Sequence, residues 1–113
     1  MKKTKMLKKN YEFRRVLSKG NFFGGNYIQA VILKTSDFNN FLGLAINTKL
    51  GHAVKRNRIK RLLRESYKLL ETQVKDGFQI VFLIKKKTDI NNLSFQNIKM
   101  DMEKILKNAK VIV

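Results

Sequence analysis

The sequence predicts an α+β fold: a single-domain α–β sandwich in which helices pack on a small sheet, with the element order αββαβα. Segments with the 3.6-residue apolar period of a helix alternate with short apolar segments rich in β-branched residues. No proline or linker-like stretch divides the chain, and its 113 residues fit the size of one domain. With 43% hydrophobic residues available for a core, we expect residues 1–113 to fold as one unit.

The N-terminal part of the chain predicts a helix followed by a loop. The helix spans about residues 11–18, with Asn10 as its N-cap and Gly20 at its end. Its apolar residues fall at i, i+3 and i+4 on one stripe: Phe13, Val16 and Leu17. Residues 21–26, which include two consecutive glycines, predict a loop.

Two strands come next and predict a hairpin. Residues 27–35 are rich in apolar and β-branched side chains, as is typical of a strand. Residues 36–40 have the Ser, Asp and Asn composition of a turn, and residues 41–47 resume as a second strand. Because the connection is short, we expect the two strands to pair with each other.

The second half of the chain predicts a long helix, a strand and a last helix. Residues 48–54 form a connecting loop, and residues 55–72 contain no helix breaker. An Asp-Gly turn leads into a buried strand at 78–85, and Ser94 caps the last helix. The inner face of that helix is apolar at helical spacing: Phe95, Ile98, Met102, Ile105 and Ala109.

The charge of the chain predicts a polyanionic partner. The 25 Lys and Arg residues outnumber the 8 Asp and Glu residues and give a net charge of +17. Residues 1–20 and residues 49–68 each hold eight cations and one acid, so most of this charge lies in two segments. Phosphates would relieve the resulting self-repulsion. An acidic membrane surface is an alternative, but it usually requires a large apolar face or a lipid anchor, and neither is visible.

Composition argues against several classes of catalytic and metal site. The chain has no cysteine, and its one histidine, His52, is expected to be a loop residue that faces solvent or a phosphate. The eight acids are scattered, and Asp101 and Glu103 stand at i and i+2, which do not face each other on a helix, so we expect both to be solvated surface. No apolar stretch follows the N-terminal lysines, as a secretory signal would require, and we expect a cytoplasmic protein.

The long helix carries its cations on one side. Its apolar sector faces the predicted sheet: Ile59, Leu62, Leu63, Ser66, Leu69 and Leu70. The opposite side repeats at i, i+3, i+4, i+7 and i+11: Asn57, Lys60, Arg61, Arg64 and Lys68. A merely solvated face usually mixes charges of both signs, so this pattern favours nucleic acid. The helix follows a hairpin rather than another helix and a tight turn, which favours RNA over DNA in a helix-turn-helix arrangement.

The same helix and the loop before it resemble a known family. The run from Lys49 to Glu65 is similar to the bacterial ribonuclease P protein subunit, with Arg56-Asn57-Arg58 followed by Lys60-Arg61 and Arg64-Glu65. The resemblance extends over most of the chain. It implies an α–β sandwich resembling a ribosomal protein domain, with a left-handed βαβ crossover where general rules would predict a right-handed one.

The resemblance also implies a function. Such a protein joins a catalytic RNA, and together they remove the 5′ leader from precursor tRNA in a hydrolysis that depends on Mg²⁺, bound mainly by the RNA subunit. It implies no catalytic residue and no metal ligand in the chain itself, and no DNA or membrane partner. A ribosomal or rRNA-binding assembly protein without a role in cleavage is the alternative interpretation.

Two sets of site residues follow from the resemblance. The implied contacts to the RNA subunit are Lys49, Arg56, Asn57, Arg58, Lys60, Arg61 and Arg64. The implied leader cleft lies between the first helix and the sheet, with candidate residues Phe13, Arg14, Leu17 and Tyr27. The first predicted strand departs from the family pattern, because it carries Ile28, Ala30 and Val31 where aromatic residues are expected.

Overall fold

The periodic segments of the chain form a mixed five-stranded sheet with three helices in a computed structural model that describes residues 4–112. In chain order the elements are β1 (Thr4–Met6), α1 (Asn10–Lys19), β2 (Asn21–Gly24), β3 (Ile28–Lys34), β4 (Asn40–Ala45), α2 (Ala53–Leu70), β5 (Phe78–Ile84) and α3 (Phe95–Asn108). Short 3₁₀ turns lie at Thr48–Leu50, Glu71–Gln73 and Ile90–Asn92. The α+β class and the six expected elements are confirmed, and two strands are added to them.

The strand order is β1-β4-β5-β3-β2, so the expected hairpin is wrong. β5 lies between β3 and β4, antiparallel to the first and parallel to the second. Its continuous apolar sequence is typical of a strand buried on both faces, which belongs at the centre of a sheet. The parallel pair β4 and β5 is joined through α2, which makes the expected βαβ unit; its left-handed crossover stays a prediction.

Both additional strands lie at the edges of the sheet. β1 pairs parallel to β4, and β2 pairs antiparallel to β3 inside the segment expected to be a loop. Each has only three or four residues, Thr-Lys-Met in β1 and Asn-Phe-Phe-Gly in β2, so neither is long enough to show an alternating apolar pattern. Short edge strands of this kind are common because they limit pairing with other chains.

The sheet separates two cores of unequal size. On one face, α2 and α3 pack on strand residues such as Ile28, Leu42 and Phe82, which are fully buried. On the other face, α1 covers only part of the sheet, and a smaller cluster forms from Leu7, Val16, Val31 and Val81. Several apolar side chains beside that cluster are only partly buried, so this face keeps an accessible apolar strip.

The start of α1 differs by one residue from the expectation, since Lys9 rather than Asn10 is the N-cap. The carboxylate of Glu12 accepts hydrogen bonds from the backbone N–H groups of Lys9 at 2.8 Å and Lys8 at 3.1 Å. The bond from Lys9, followed by that from Lys8, lowers the pKa of Glu12. Glu12 at position N3 thus reaches back to the backbone N–H groups at and before the N-cap, as the N3 residue of a capping box does.

A buried tyrosine fastens β1 to α2. Tyr67 is fully buried, and its hydroxyl shares a hydrogen bond of 2.9 Å with Oγ1 of Thr4. Burial raises the pKa of Tyr67 to about 12, with the bond to Thr4 acting in the opposite direction and the charge of Glu71 in the same one.

Among residues 4–112, none of the helices combines the length and apolarity that a membrane span requires.

Candidate nucleic-acid interface

α2 has a buried side and a polar side, as its sequence predicts. Its buried residues are Ile59, Leu62, Leu63, Ser66, Tyr67 and Leu70. Leu69, expected among them, is 57% exposed, and Tyr67 takes its place in the core. The two lie on opposite edges of the apolar sector, since positions two apart on a helix point to different sides. On its edge the Tyr67 side chain reaches both the core and a hydrogen-bond partner.

The opposite side of α2 forms a continuous cationic surface, which we call the α2 face: Asn57, Lys60, Arg61, Arg64 and Lys68. Asn57, Arg61, Arg64 and Lys68 are exposed, and Lys60 is half-buried. Within the described part of the chain, none of its cations forms an ion pair. Like charges at i and i+4, such as Lys60 and Arg64, cost an isolated helix a few tenths of a kcal/mol per pair. The cations of this face therefore have no counter-charge within the described part of the protein, at a small cost in helix stability.

The turn before α2 adds further cations at its N-terminal end. Asn47 accepts a hydrogen bond of 2.9 Å from the backbone N–H of Lys49, which leaves the Lys49 side chain exposed on the 3₁₀ turn. His52 is the exposed N-cap of α2 and makes no side-chain capping bond. Arg56 is half-buried in the first turns of the helix. The loop and the helix together extend the cationic surface that the sequence indicates.

Arg58 differs from the other cations of this region. Its guanidinium donates a hydrogen bond of 2.8 Å from Nη2 to the carbonyl oxygen of Leu93, just before α3. This bond connects the start of α2 to the start of α3. Since a guanidinium has five N–H donors in a fixed plane, the others stay available to a phosphate. Arg58 thus combines a structural contact with its predicted place in the RNA contact set.

Three of the four leader candidates lie on α1. Phe13 is half-buried beside the smaller core and packs against Gly43 of β4, where an added Cβ would lie 2.6 Å from its ring. Leu17 is 41% exposed, and Arg14 is exposed. The glycine permits the close approach of α1 to the sheet. Phe13 therefore contributes to packing, while Leu17 and Arg14 stand at exposed positions of the same helix.

Tyr27, the fourth leader candidate, lies elsewhere. It precedes β3 and packs against the main core, on the side of α3. Its ring borders a depression of about 730 Å³ whose rim includes Lys85, Lys86 and Lys87. Lys85 donates a hydrogen bond of 2.8 Å to the carbonyl oxygen of Gly25. The structure therefore does not gather the four candidates in one place, and the three lysines beside Tyr27 border a concave surface.

Asp101 is a residue whose role the sequence reasoning missed. Expected on the solvated surface, it is 3% exposed, and its carboxylate accepts hydrogen bonds from the backbone N–H groups of Asn26, Tyr27 and Ile28 at 2.6 to 2.8 Å. It fixes the turn between β2 and β3 onto α3. A carboxylate on the inner side of an amphipathic helix, one residue before the buried Met102, is the signal that could have indicated a buried role.

The acids do not gather into a metal site within residues 4–112, where no three His, Asp or Glu side chains come close enough to hold an ion. Two of them have other partners: Asp101 serves three backbone amides, and Glu12 serves two.

Comparison with known proteins gives a consistent result. Residues 1–110 match the family model described as ribonuclease P. The ribonuclease P protein component of Fusobacterium nucleatum is 36% identical over 108 residues, covering 94% of this chain and 97% of the relative. That of Natranaerobius thermophilus is 34% identical over 106 residues, covering 94% and 90%. The structure of the Staphylococcus aureus RNase P protein superimposes with a TM-score of 0.83 at 28% identity, covering 96% of this chain and 97% of that one.

Proposed function

This chain belongs to the ribonuclease P protein family, and from that premise we propose that it binds the RNA subunit of the enzyme through the α2 face and assists removal of the 5′ leader from precursor tRNA. Membership gives it a role in the ribonuclease P enzyme as a protein component. The proposal adds three points to this: which residues contact the RNA subunit, that precursor tRNA is the substrate, and that the RNA subunit carries out the cleavage.

The observation that carries the proposal is the single sign of charge on the α2 face. Its cations stand on a rigid helix whose other side is packed into the core, so their spacing is set before binding. Arginine presents planar paired donors that match phosphate geometry, and Asn57 offers a donor and an acceptor to a ribose or a base edge. The face therefore suits the sugar–phosphate surface of a folded RNA better than a single small anion.

We assign the single-stranded leader to the face of the sheet that α1 covers only in part. The accessible strip there combines half-buried apolar side chains, such as Leu83 and Phe13, with the exposed Leu17. In this assignment Arg14, exposed on α1, supplies a cation for a phosphate of the leader. Single-stranded RNA is recognised by such combinations, because unstacked bases need an apolar surface and their backbone needs cations.

The cleavage chemistry belongs to the RNA subunit and its Mg²⁺ in this proposal. Hydrolysis by the protein would require convergent carboxylates, and the best-buried one, Asp101, is occupied by backbone amides. The protein would lower the repulsion between two RNAs and hold the leader, which raises substrate affinity. Since tRNA is processed where it is made, the proposed location is the cytoplasm.

A reconstitution assay tests this function. Precursor tRNA is incubated with the protein, with the RNA subunit, and with both, at moderate salt and with Mg²⁺. We expect leader removal by the RNA subunit to be enhanced by the protein, and no cleavage by the protein alone. Cleavage by RNA-free protein, abolished by substitution of a carboxylate, would instead identify a self-sufficient nuclease.

Pull-down from a cell lysate addresses the assembly-protein alternative. We expect the RNA subunit to dominate the RNA recovered with the protein, and the Arg61→Glu/Arg64→Glu variant to recover much less of it. Recovery dominated by ribosomal RNA would contradict the proposal in favour of that alternative.

A further inference from the structure

Phe22 is a large aromatic residue exposed on an edge strand. It lies in the middle of β2, and 61% of its surface is exposed. Packing therefore gives no reason for a phenylalanine at this position, and a polar residue would satisfy an edge strand equally well. An exposed ring of this kind on a basic protein is a candidate for contact with a partner.

The register of the sheet places Phe22 on the same face as α1. It stands directly opposite Val31 of β3, and opposed residues of an antiparallel pair point to the same side of the sheet. Val31 belongs to the smaller core that α1 covers. Phe22 therefore lies at the outer border of the accessible strip to which we assign the leader.

The ring of Phe22 leans along β2 over Gly24. If Gly24 had a Cβ, it would lie 3.6 Å from Cε1 and 3.9 Å from Cζ of Phe22. Residue 24 has no side chain on that side of the strand, so the ring of Phe22 lies over it while most of the residue stays exposed. A ring supported by the strand in this way offers a fixed surface to an incoming base.

Polar and basic residues lie near Phe22, both across the sheet and at the end of α1. Gly24 stands opposite Gln29, whose side chain borders the depression with Lys85, Lys86 and Lys87. Lys19, at the end of α1, is exposed three residues before Phe22. On the same face β3 itself presents Gln29, Val31 and Leu33, none of which is aromatic. Phe22 thus has Lys19 close to it along the chain and, across the sheet, Lys85, which donates to the carbonyl oxygen of Gly25.

We infer that Phe22 is a stacking residue for a base of the single-stranded leader, with the lysines around it meeting the adjoining phosphates. This rests on the proposed function, because it specifies a residue of the proposed leader site. Stacking of a base on an aromatic ring does not depend on sequence, since every base has a π face. The contact therefore adds affinity for leaders in general.

Substrate binding by the reconstituted holoenzyme tests the inference. The affinity is measured for two precursor tRNAs, one with a long single-stranded leader and one with a single leader nucleotide. Phe22→Ala is expected to weaken binding of the long-leader substrate by about fivefold or more, the range known for one lost stacking contact. Binding of the short-leader substrate stays unchanged, and Phe22→Tyr retains the affinity of the original protein.

Phe38 provides the matched control, since it is 84% exposed in the connection between β3 and β4. Phe38→Ala is expected to leave both affinities unchanged. The chain contains no tryptophan, so Phe22→Trp introduces a single fluorophore. Its emission is expected to be quenched by the long-leader substrate and not by the short-leader substrate.

Two results would overturn the inference. If the original protein favours the long leader and Phe22→Ala favours it equally, the stacking role fails while the proposed function stands. If the original protein gives no preference for a long leader, the leader assignment fails and the inference fails with it.

Discussion

α2 and α3 cover the same face of the sheet but differ in the arrangement of their charged side chains. Both bury an apolar stripe in the main core. On α3 the charges are mixed: Lys107 and Glu103 form an ion pair of 3.1 Å, and Asp101 is directed inward to backbone amides. On the α2 face the cations stand at helical spacing without such partners among the described residues.

The difference separates a surface that is merely solvated from the one that we propose binds RNA. The acids of α3 have partners within the protein, and an exposed pair such as Lys107 and Glu103 contributes only a few tenths of a kcal/mol. The cations of the α2 face form no such ion pair among the described residues, and their like charges repel one another. α2 is stabilised by its buried side, which packs in the main core. The residues of its exposed side therefore need not contribute to the stability of the fold.

The largest effect is expected on the α3 side of the comparison. Asp101→Ala removes the acceptor of three backbone N–H groups, and each buried donor left without a partner costs about 1–3 kcal/mol. We expect the free energy of unfolding to fall by roughly 3 kcal/mol or more, as measured by urea denaturation. Glu103→Ala, two residues away, is the control and should change it by less than about 0.5 kcal/mol. Equal stabilities of the two variants would contradict the role assigned to Asp101.

A second prediction concerns the α2 face. Arg61→Glu/Arg64→Glu is expected to weaken binding of the RNA subunit by about 20-fold or more near physiological salt, because two phosphate contacts are lost. The dependence of log affinity on log salt should become shallower by about 1.4–1.8. Both residues are exposed, so the free energy of unfolding should stay nearly unchanged.

The matched control for that variant is Lys104→Glu/Lys107→Glu on α3, which changes the net charge by the same amount at two exposed positions. Since charges more than about 8 Å away are largely screened at physiological salt, we expect only a minor loss of affinity. If the α3 variant weakens binding as much as the α2 variant, net charge rather than the α2 face determines affinity.

The smallest effect is expected at Arg58, the residue of α2 whose hydrogen bond to Leu93 connects the starts of the two helices. Arg58→Gln removes the hydrogen bond to Leu93, so we expect a loss of about 1–2 kcal/mol in the free energy of unfolding in addition to weaker RNA binding. Arg61→Gln should weaken RNA binding without this loss. A stability unchanged by Arg58→Gln would show that the bond to Leu93 contributes nothing measurable.

Local patterns predicted what depends on local sequence. The apolar period located α2 to within two residues at each end, and Ser94 caps α3 as expected, accepting a bond from the backbone N–H of Asn97. The pairing of β3 with β5 was missed because it is decided by which strand is buried on both faces, a property of the whole sheet. β1 and β2 are too short to show a period.

For the candidate site, too, the sequence predicted the residues that recur along one helix and missed the contacts between distant segments. A helical wheel identifies the cations of the α2 face, because side chains on one face of a helix recur in sequence. It does not identify Asp101, whose partners are 73 to 75 residues away in the chain, or the placement of Tyr27 apart from α1. Phe22 was missed because β2 was not expected. Only the pairing of β2 with β3 shows which face of the sheet the Phe22 side chain lies on.

Protection of lysines from chemical modification tests the central claim most directly. The protein is modified with and without its RNA subunit, and the rate is compared for each lysine by mass spectrometry. We expect the RNA to slow modification of Lys49 and Lys60 strongly and to leave Lys104 and Lys107 unchanged. Protection of Lys104 and Lys107, with Lys49 and Lys60 reacting as fast as in the free protein, would contradict the claim that α2 faces the RNA.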